Sequence, residues 1–518
     1  VLLEGRRIHV VGASGIEGAA LLLYLAGERG IAGIVAHDFC PDRQAFARSF
    51  HKANAAWSGA DGERVLEQLW QLPVTFRLGS DYLAGIDQAQ LIFASQNWFN
   101  YPANQPALDD AVAGGAELVG ILDLALDLFP GRRITVTGSN GKSTTAALIG
   151  HLLRASVGGD ARVLGSGNDR SSQASLHELQ QARAHDLAVW EVSNRHLRDR
   201  PVAGDVAVLT NISHNHIEDH GSWQAYREAK ARLVLAPGRG GHAVLSAVDP
   251  CSRELSAAVR KTGATLWWFG APPQPDSAEG HCWIADGIAM LQHPRGSAVA
   301  PGPGSSPVAL GPTEALPLPG AHNLLNLQAA LCAVAACGFA DATSLSRAFA
   351  SAPGLPGRLE EVAEHGDVRW IYDIQATTAE AAAAGITAVG GRDGRAGREG
   401  REGAIVLLVG GEDKGMDFSA MAEAAASASR RILVLPGTGA DAFLQSLAGR
   451  AEVEHCSDLD SALVRARAVA CAGDTVLLSP GCAFFFRDYI DGGPSFAQRV
   501  QRMLSAEARP AASQRERA

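Results

Sequence analysis

Between Ile134 and Thr145 the chain reads Ile-Thr-Val-Thr-Gly-Ser-Asn-Gly-Lys-Ser-Thr-Thr, and this stretch constrains the fold more than any other. The β-branched run Ile134–Thr137 reads as a buried strand, residues 138–141 as a tight small-residue loop, and Thr144–Leu153 as the start of an amphipathic helix. Strand, glycine loop and helix start are the parts of a phosphate cradle. Glycines let backbone N–H groups turn inward, the helix N-terminus adds positive potential, Lys142 reaches terminal phosphates, and Ser143 can hold Mg²⁺. The strict P-loop spacing places a glycine where Val136 stands, so the expected nucleoside triphosphate site is of a variant class. An ordinary strand-to-helix turn with a solvent lysine does not explain why Gly, Lys and two hydroxyls arrive in this order.

A phosphate loop of this kind needs a parallel α/β sheet around it, and the chain is long enough for several. Its 518 residues allow about three domains. A composition of 47% hydrophobic and 19% charged residues, with 57 glycines, suits a globular α/β chain with many tight strand–helix turns. The net charge of −10 gives a nucleic-acid partner no electrostatic support. No apolar run reaches the ~20 residues of a membrane helix, and no basic-then-apolar leader opens the sequence, so no membrane insertion is expected. The eight cysteines are scattered with no Cys-x-x-Cys pair. That predicts a reducing, cytoplasmic setting without disulfides or structural zinc.

Residues 1–130 alternate strands and helices. Strands are expected at Arg7–Gly12, Gly33–Asp38, Gln90–Ala94 and Glu117–Gly120, with helices at Ala19–Arg29 and near Leu108–Ala113. The turn Gly12-Ala-Ser14-Gly15-Ile-Glu-Gly18, with Asp38 about twenty residues on, resembles a dinucleotide-binding fingerprint. A βαβ turn that holds nothing reads equally well. Phe129–Arg133 reads as a linker.

Residues 131–352 continue the pattern, with strands at Asp186–Trp190 and Val206–Asn211, a helix at Trp223–Leu233 and an exposed loop over Ala298–Pro312. Residues 353–508 form a third α/β unit with strands at Trp370–Tyr372, Ala404–Val409, Ile432–Leu435 and Thr475–Leu478. Gly391–Gly403 is low-complexity, and a charged tail begins near Ser505, leaving 509–518 as a disordered end.

Three strand ends in the middle domain carry candidate chemistry: the phosphate loop, Glu191 and His216. A carboxylate and an imidazole beside Ser143 suit a hard cation on a nucleotide. Lys230, on the following helix, would ordinarily be a solvent lysine. The coincidence of all four raises them above bland readings.

The motifs Thr137-Gly-Ser-Asn-Gly-Lys-Ser-Thr144, Glu191-Val-Ser193, Asn211-Ile-Ser-His-Asn-His216, Gly221-Ser-Trp-Gln-Ala-Tyr-Arg-Glu-Ala-Lys230 and Gly320-Ala-His-Asn323 resemble the ATP-dependent Mur ligases. Leu355-Pro-Gly-Arg358, Gly410–Ser419 and Leu477–Cys482 point to the MurD-like branch, which joins glutamate to UDP-N-acetylmuramoyl-L-alanine in peptidoglycan synthesis. The resemblance implies a Rossmann-like N-terminal domain for the UDP substrate, a central P-loop NTPase-like parallel-sheet domain and a Rossmann-like C-terminal domain. It implies small-molecule substrates and a monomer. Gly138, Ser139, Asn140, Gly141, Lys142, Ser143 and Thr144 would bind ATP phosphates. Asn323, Arg358 and Asp373 would lie on the adenine side. Two Mg²⁺ ions would be held by Ser143, Glu191, His216 and Lys230, the last carrying a CO₂-derived carbamate. Ser14, Gly15, Asp38 and Asn168 would meet the first substrate, and Thr377 and Lys414 the incoming amino acid. Lys142, Glu191, His216 and Lys230 would be the catalytic set.

Departures from the family pattern cluster at the amino-acid end. Gln375 stands where the branch carries a lysine, Phe484-Phe-Phe486 where it offers a serine, and Asn194-Arg-His196 where it has Ser-Phe-Gln. A lost cation and a lost hydroxyl alter carboxylate recognition, which leaves D- or L-glutamate open. The alternative is a related ATP-dependent amide ligase of secondary metabolism using a different acid and amine. A P-loop switch or scaffold, and an oxidoreductase built on the Gly12–Gly18 turn, account for fewer of these residues.

Overall fold

The computed structural model describes residues 1–54, 57, 59–95, 101, 103–166, 176–197, 202, 204–213, 220–274, 277–296, 306–339, 341–390, 403–413, 415–482 and 495–507. These carry three sheets. The first is wholly parallel, with β1 (Ile8–Val11), β2 (Ile34–Asp38), β3 (Val74–Leu78), β4 (Leu91–Ala94) and β5 (Glu117–Val119) in the order β3-β2-β1-β4-β5. β1 and β4 are buried at every residue, as the apolar runs of a sheet covered on both faces must be.

The second sheet has nine strands in the order β14-β13-β12-β11-β10-β9-β6-β8-β7. They are β6 (Arg132–Thr137), β7 (Val163–Ser166), β8 (Leu187–Glu191), β9 (Val206–Leu209), β10 (His242–Ser246), β11 (Thr265–Phe269), β12 (Gly280–Ala285), β13 (Ile288–Gln292) and β14 (Val308–Pro312). From β7 to β12 the pairings are parallel, and β12-β13-β14 is antiparallel. The phosphate-loop strand β6 lies between β8 and β9, with Val136 opposite Glu191 and Thr137 opposite Leu209. The chain leaves β6 toward one side and returns on the other. This is the reversal point where α/β sheets bind ligands.

The third sheet runs β15-β16-β20-β17-β18-β19, with β15 (Glu360–His365), β16 (Val368–Tyr372), β17 (Ile405–Val409), β18 (Ser429–Val434), β19 (Val453–His455) and β20 (Thr475–Leu478). Only the β15–β16 pairing is antiparallel. The chain divides into two compact units. One is Val1–Thr313 with Asn326–Phe349, and the other is Glu314–Leu325 with Ala350–Ala518. The first two sheets belong to the former and the third to the latter.

Several elements differ from the sequence reading. The helix of the phosphate loop begins at Lys142 and runs to Ser156, two residues earlier and three later than expected. Phe129 is no linker residue: it is buried, and its ring meets Trp190 of β8 edge-on at 5.4 Å, while Arg132 already opens β6. The end of the expected loop 298–312 is strand β14, which covers the edge of β13. The helix Phe496–Glu507 continues past Ser505. The helix after the first turn starts at Ile16 and widens to a π-helix over Leu23–Glu28. Residues 391–402 and 508–518 lie outside the described residues.

Candidate functional site

Gly138 ends β6 with φ +152°, and a Cβ there would stand 1.8 Å from Thr210 Oγ1. Gly141 takes the left-handed region at φ +81°, where a Cβ would meet Asn326 Oδ1 at 2.4 Å. Both positions therefore require glycine. Between them the loop is bound to the segment after β9. Ser139 N–H donates to Asn211 O at 2.9 Å and Asn140 N–H to Asn211 Oδ1 at 3.0 Å. Thr210 Oγ1 donates to Asn140 O at 2.6 Å, and Ser139 Oγ accepts the Ser213 N–H at 2.9 Å. Tyr226 OH lies 2.8 Å from Ser139 Oγ. Gly141 caps the helix Lys142–Ser156 with no side-chain capping bond, so the helix start is shaped for an anion. Lys142 Nζ donates to Ser139 O at 2.9 Å, within the loop itself.

Lys230 is 1% exposed. Its Nζ donates to Gly138 O at 2.8 Å and lies 4.8 Å from the centre of the Tyr226 ring, one helical turn earlier. Burial, with Lys142 nearby, drives its pKa well below the usual lysine range, while Glu191 opposes that shift. Glu191 is itself buried at the end of β8. The structure thus brings Lys142, Ser143, Glu191 and Lys230 to neighbouring positions around one loop. His196 is held at about 4 by burial, and its Nδ1 accepts the Ser193 N–H at 3.2 Å. His216, Asn168, Lys414 and Phe484–Phe486 lie outside the described residues. Among the described residues no group of three His, Cys, Asp or Glu side chains gathers as a ready-made metal site.

In the second unit, Asn323 and Arg358 line one cleft of 440 Å³ with Pro317, Pro319 and Leu355. Asn323 Nδ2 donates to Pro319 O at 2.7 Å. Asp373, directly after β16, is buried and accepts from Ser479 Oγ at 2.8 Å and from Leu359 N–H at 3.2 Å. Burial pushes its carboxyl up to about 7, against the pull of Ser479, Leu359 and Arg358. Gln375 and Thr377 are exposed on the turn that follows.

The Gly12–Gly18 turn looks alike in sequence and differs in kind. Gly12 and Ala13 N–H donate to His37 O, Ser14 N–H to Asp38 Oδ2 at 2.7 Å, and Gly15 N–H to Gly12 O. Asp38 is fully buried and its second oxygen accepts the Cys40 N–H. Asp38 braces the turn, whose amides from Gly12 to Gly15 are engaged inside it. Sequence reasoning missed Thr210, Tyr226 and Asn326 as loop supports. Tyr226 lies four residues before Lys230, a spacing that signals one helix face.

Compared with known proteins, residues 136–334 match the Mur ligase middle domain and residues 357–482 the Mur ligase, glutamate ligase domain. The UDP-N-acetylmuramoylalanine–D-glutamate ligase of Chromohalobacter salexigens is 34% identical over 412 residues, covering 76% of this chain and 80% of that one. The ligase of the same name from Rubrobacter xylanophilus is 32% identical over 456 residues, or 86% and 91% of the two chains. Among solved structures, UDP-N-acetylmuramate-alanine ligase MurC of Thermotoga maritima shares the fold at a TM-score of 0.55 and 14% identity, over 97% of this chain and all of that one. MurF ligase of the same organism, in complex with ADP, aligns at 0.51 and 19% identity over 78% and 92%.

Proposed function

The chain belongs to the Mur ligase family of ATP-dependent ligases, and from that premise we propose that it joins glutamate to UDP-N-acetylmuramoyl-L-alanine in peptidoglycan synthesis. The observation that carries this reading is the glycine loop at the reversal point of the second sheet, with buried Lys230 and Glu191 against it. The substrate carboxylate attacks the γ-phosphorus of ATP, ADP leaves, and an acyl phosphate forms. The amine of glutamate then attacks the acyl carbon and phosphate departs. Lys142 and the helix start at Gly141 offset the charge on the transferring phosphoryl group, where positioning and charge do most of the catalysis.

The hydroxyl of Ser143, in the first turn of the helix after the loop, and the carboxylate of Glu191, at the end of β8, are hard oxygen donors, which fits Mg²⁺; with His216 they would hold it. The ion supplies positive charge at the phosphates when bound. Lys230 is proposed to be carbamylated. Its neutral amine attacks CO₂, an N–C bond forms, and the proton lost from nitrogen leaves to solvent, so a buried neutral amine beside Lys142 becomes an anion. Asn323, Arg358 and Asp373 take the adenine side. Residues 1–130, with Ser14, Gly15 and Asp38 shaping the first turn, and Asn168 further on, take the UDP substrate. Thr377 and Lys414 take the carboxylates of the amino acid.

Mass-resolved products from ATP, Mg²⁺, UDP-N-acetylmuramoyl-L-alanine and mixed amino acids test the proposal. A glutamyl product is expected, and absence of ATP turnover with any UDP-sugar would sink it. Exposed Gln375, in place of the branch's lysine, favours one second reading, a ligase for another acid and amine. The same product analysis separates the two.

A further inference from the structure

Two large rings stand in solvent at the carboxyl edge of the first sheet. Phe39, which directly follows β2, is 57% exposed, and Tyr101, in the connection after β4, is 50% exposed. The rings stack with centres 6.2 Å apart and planes 28° apart. β1 lies between β2 and β4, so the pair spans the place where the strand order of this sheet reverses.

Both rings are held by structure that reaches back into the core. Asp38, buried, accepts the Cys40 N–H at 3.1 Å and the Ser14 N–H at 2.7 Å, which pins the backbone on either side of Phe39. Tyr101 O accepts the Asn104 N–H at 2.8 Å, and Asn104 Oδ1 accepts the Tyr82 hydroxyl. Tyr82 O lies 2.5 Å from His37 Nδ1, and His37 Nε2 lies 2.8 Å from His9 Nδ1. A carbonyl can only accept, so His37 carries its proton on Nδ1 and its Nε2 accepts from His9 Nδ1–H. A chain of hydrogen bonds anchored in the core fixes geometry. This one runs from the interior of β1 through β2 to the turn that presents Tyr101.

We propose that Phe39 and Tyr101 form a stacking platform for the pyrimidine base of the nucleotide-sugar substrate, with Asn104 as a positioning residue. The proposal rests on the reading that residues 1–130 take the UDP end. The base is the flat aromatic part of that substrate, and ring faces in solvent bind a base without needing hydrogen-bond readout.

The test is calorimetric titration of the full chain with UMP, with ADP as a second probe of the phosphate loop. Phe39→Ala and Tyr101→Ala are each expected to weaken UMP about ten-fold, the lower range of stacking on one ring, and to leave ADP affinity unchanged. Phe39→Trp keeps UMP affinity. Asn104→Leu, which deletes the acceptor for Tyr82, weakens UMP without changing ADP, and Asn104→Asp, which still accepts that hydroxyl, restores it. Equal UMP affinity in wild type and both alanine variants would overturn the platform. A wild-type chain that binds ADP and no UMP would overturn the assignment of residues 1–130, and the platform with it.

Discussion

Lys142 and Lys230 carry the same ammonium group into opposite surroundings. Lys142 is half-buried and donates to a carbonyl of its own loop, a bond that a phosphate oxygen can replace. Its removal to alanine is expected to lower ATP turnover by about 10²–10³-fold, in the range of losing one strong donor to developing charge; phosphate release measures it, and wild-type turnover would refute the site. Lys230, at 1% exposure, has no such freedom. Lys230→Ala should turn over slowly and recover with added formate or acetate, and indifference to both would count against a carbamate. Lys142 was legible in the sequence because motif order alone marks it. The burial of Lys230 was not, since the spacing from Tyr226 puts the two on one helix face but no local pattern shows that Gly138, 92 residues away, meets the amine. Asp38 was legible as an acid at a strand end, but its bonds to Ser14 and Cys40 amides depend on a turn whose closure only the fold reveals.

Helices and strands hold the chemistry at one edge of each sheet by fixing the other edge. Asp186 precedes β8, is fully buried, and accepts from the Arg162 and Arg183 N–H groups and from the Arg162 guanidinium. Asp474 precedes β20 and does the same with the Ala404 and Cys471 N–H groups and Arg430. Both stand at the amino ends of their strands, away from Glu191 and Ser479 at the carboxyl ends. Asp474→Ala leaves two amides without their acceptor and is expected to cost about 3 kcal/mol. A lowered urea midpoint, with ATP turnover retained below it, would bear this out; an unchanged midpoint would not. The strands that carry candidate residues were readable because short apolar runs ended in Gly, Glu or Asn. Strands β10–β14 were not read, and β14 was taken for a loop, because its Gly- and Pro-rich surroundings mask a pairing supplied by β13.

Across the molecule, two buried groups respond to acid in opposite directions. His9, in the first unit, sits among His37, Arg77 and Arg7 with Asp87 opposing, and burial first, then these neighbours, lowers it from 6.5 to about 4. Its folded value lies below the unfolded one, so its contribution is whole above pH 6.5 and is lost as pH falls toward 4, about 3 kcal/mol in all. Asp373, in the second unit, is raised from 3.8 to about 7. Its contribution is whole below pH 3.8 and is lost as pH rises through 7. Acidifying from pH 7 to 4.5 should therefore weaken the first unit and strengthen the second. Calorimetry is expected to show two transitions shifting in opposite directions, the first unit's downward by about 3 °C; transitions that shift together would contradict the assignment. One contact also sets an order in time. Thr145 Oγ1 donates to Asn326 Oδ1 across 181 residues, and Gly141 packs on the same amide. At about 5–20 residues per second of synthesis, the phosphate loop is made roughly 10–40 seconds before Asn326 is added. A nascent chain halted before Asn326 should hold no nucleotide, so the enzyme begins life unable to consume ATP.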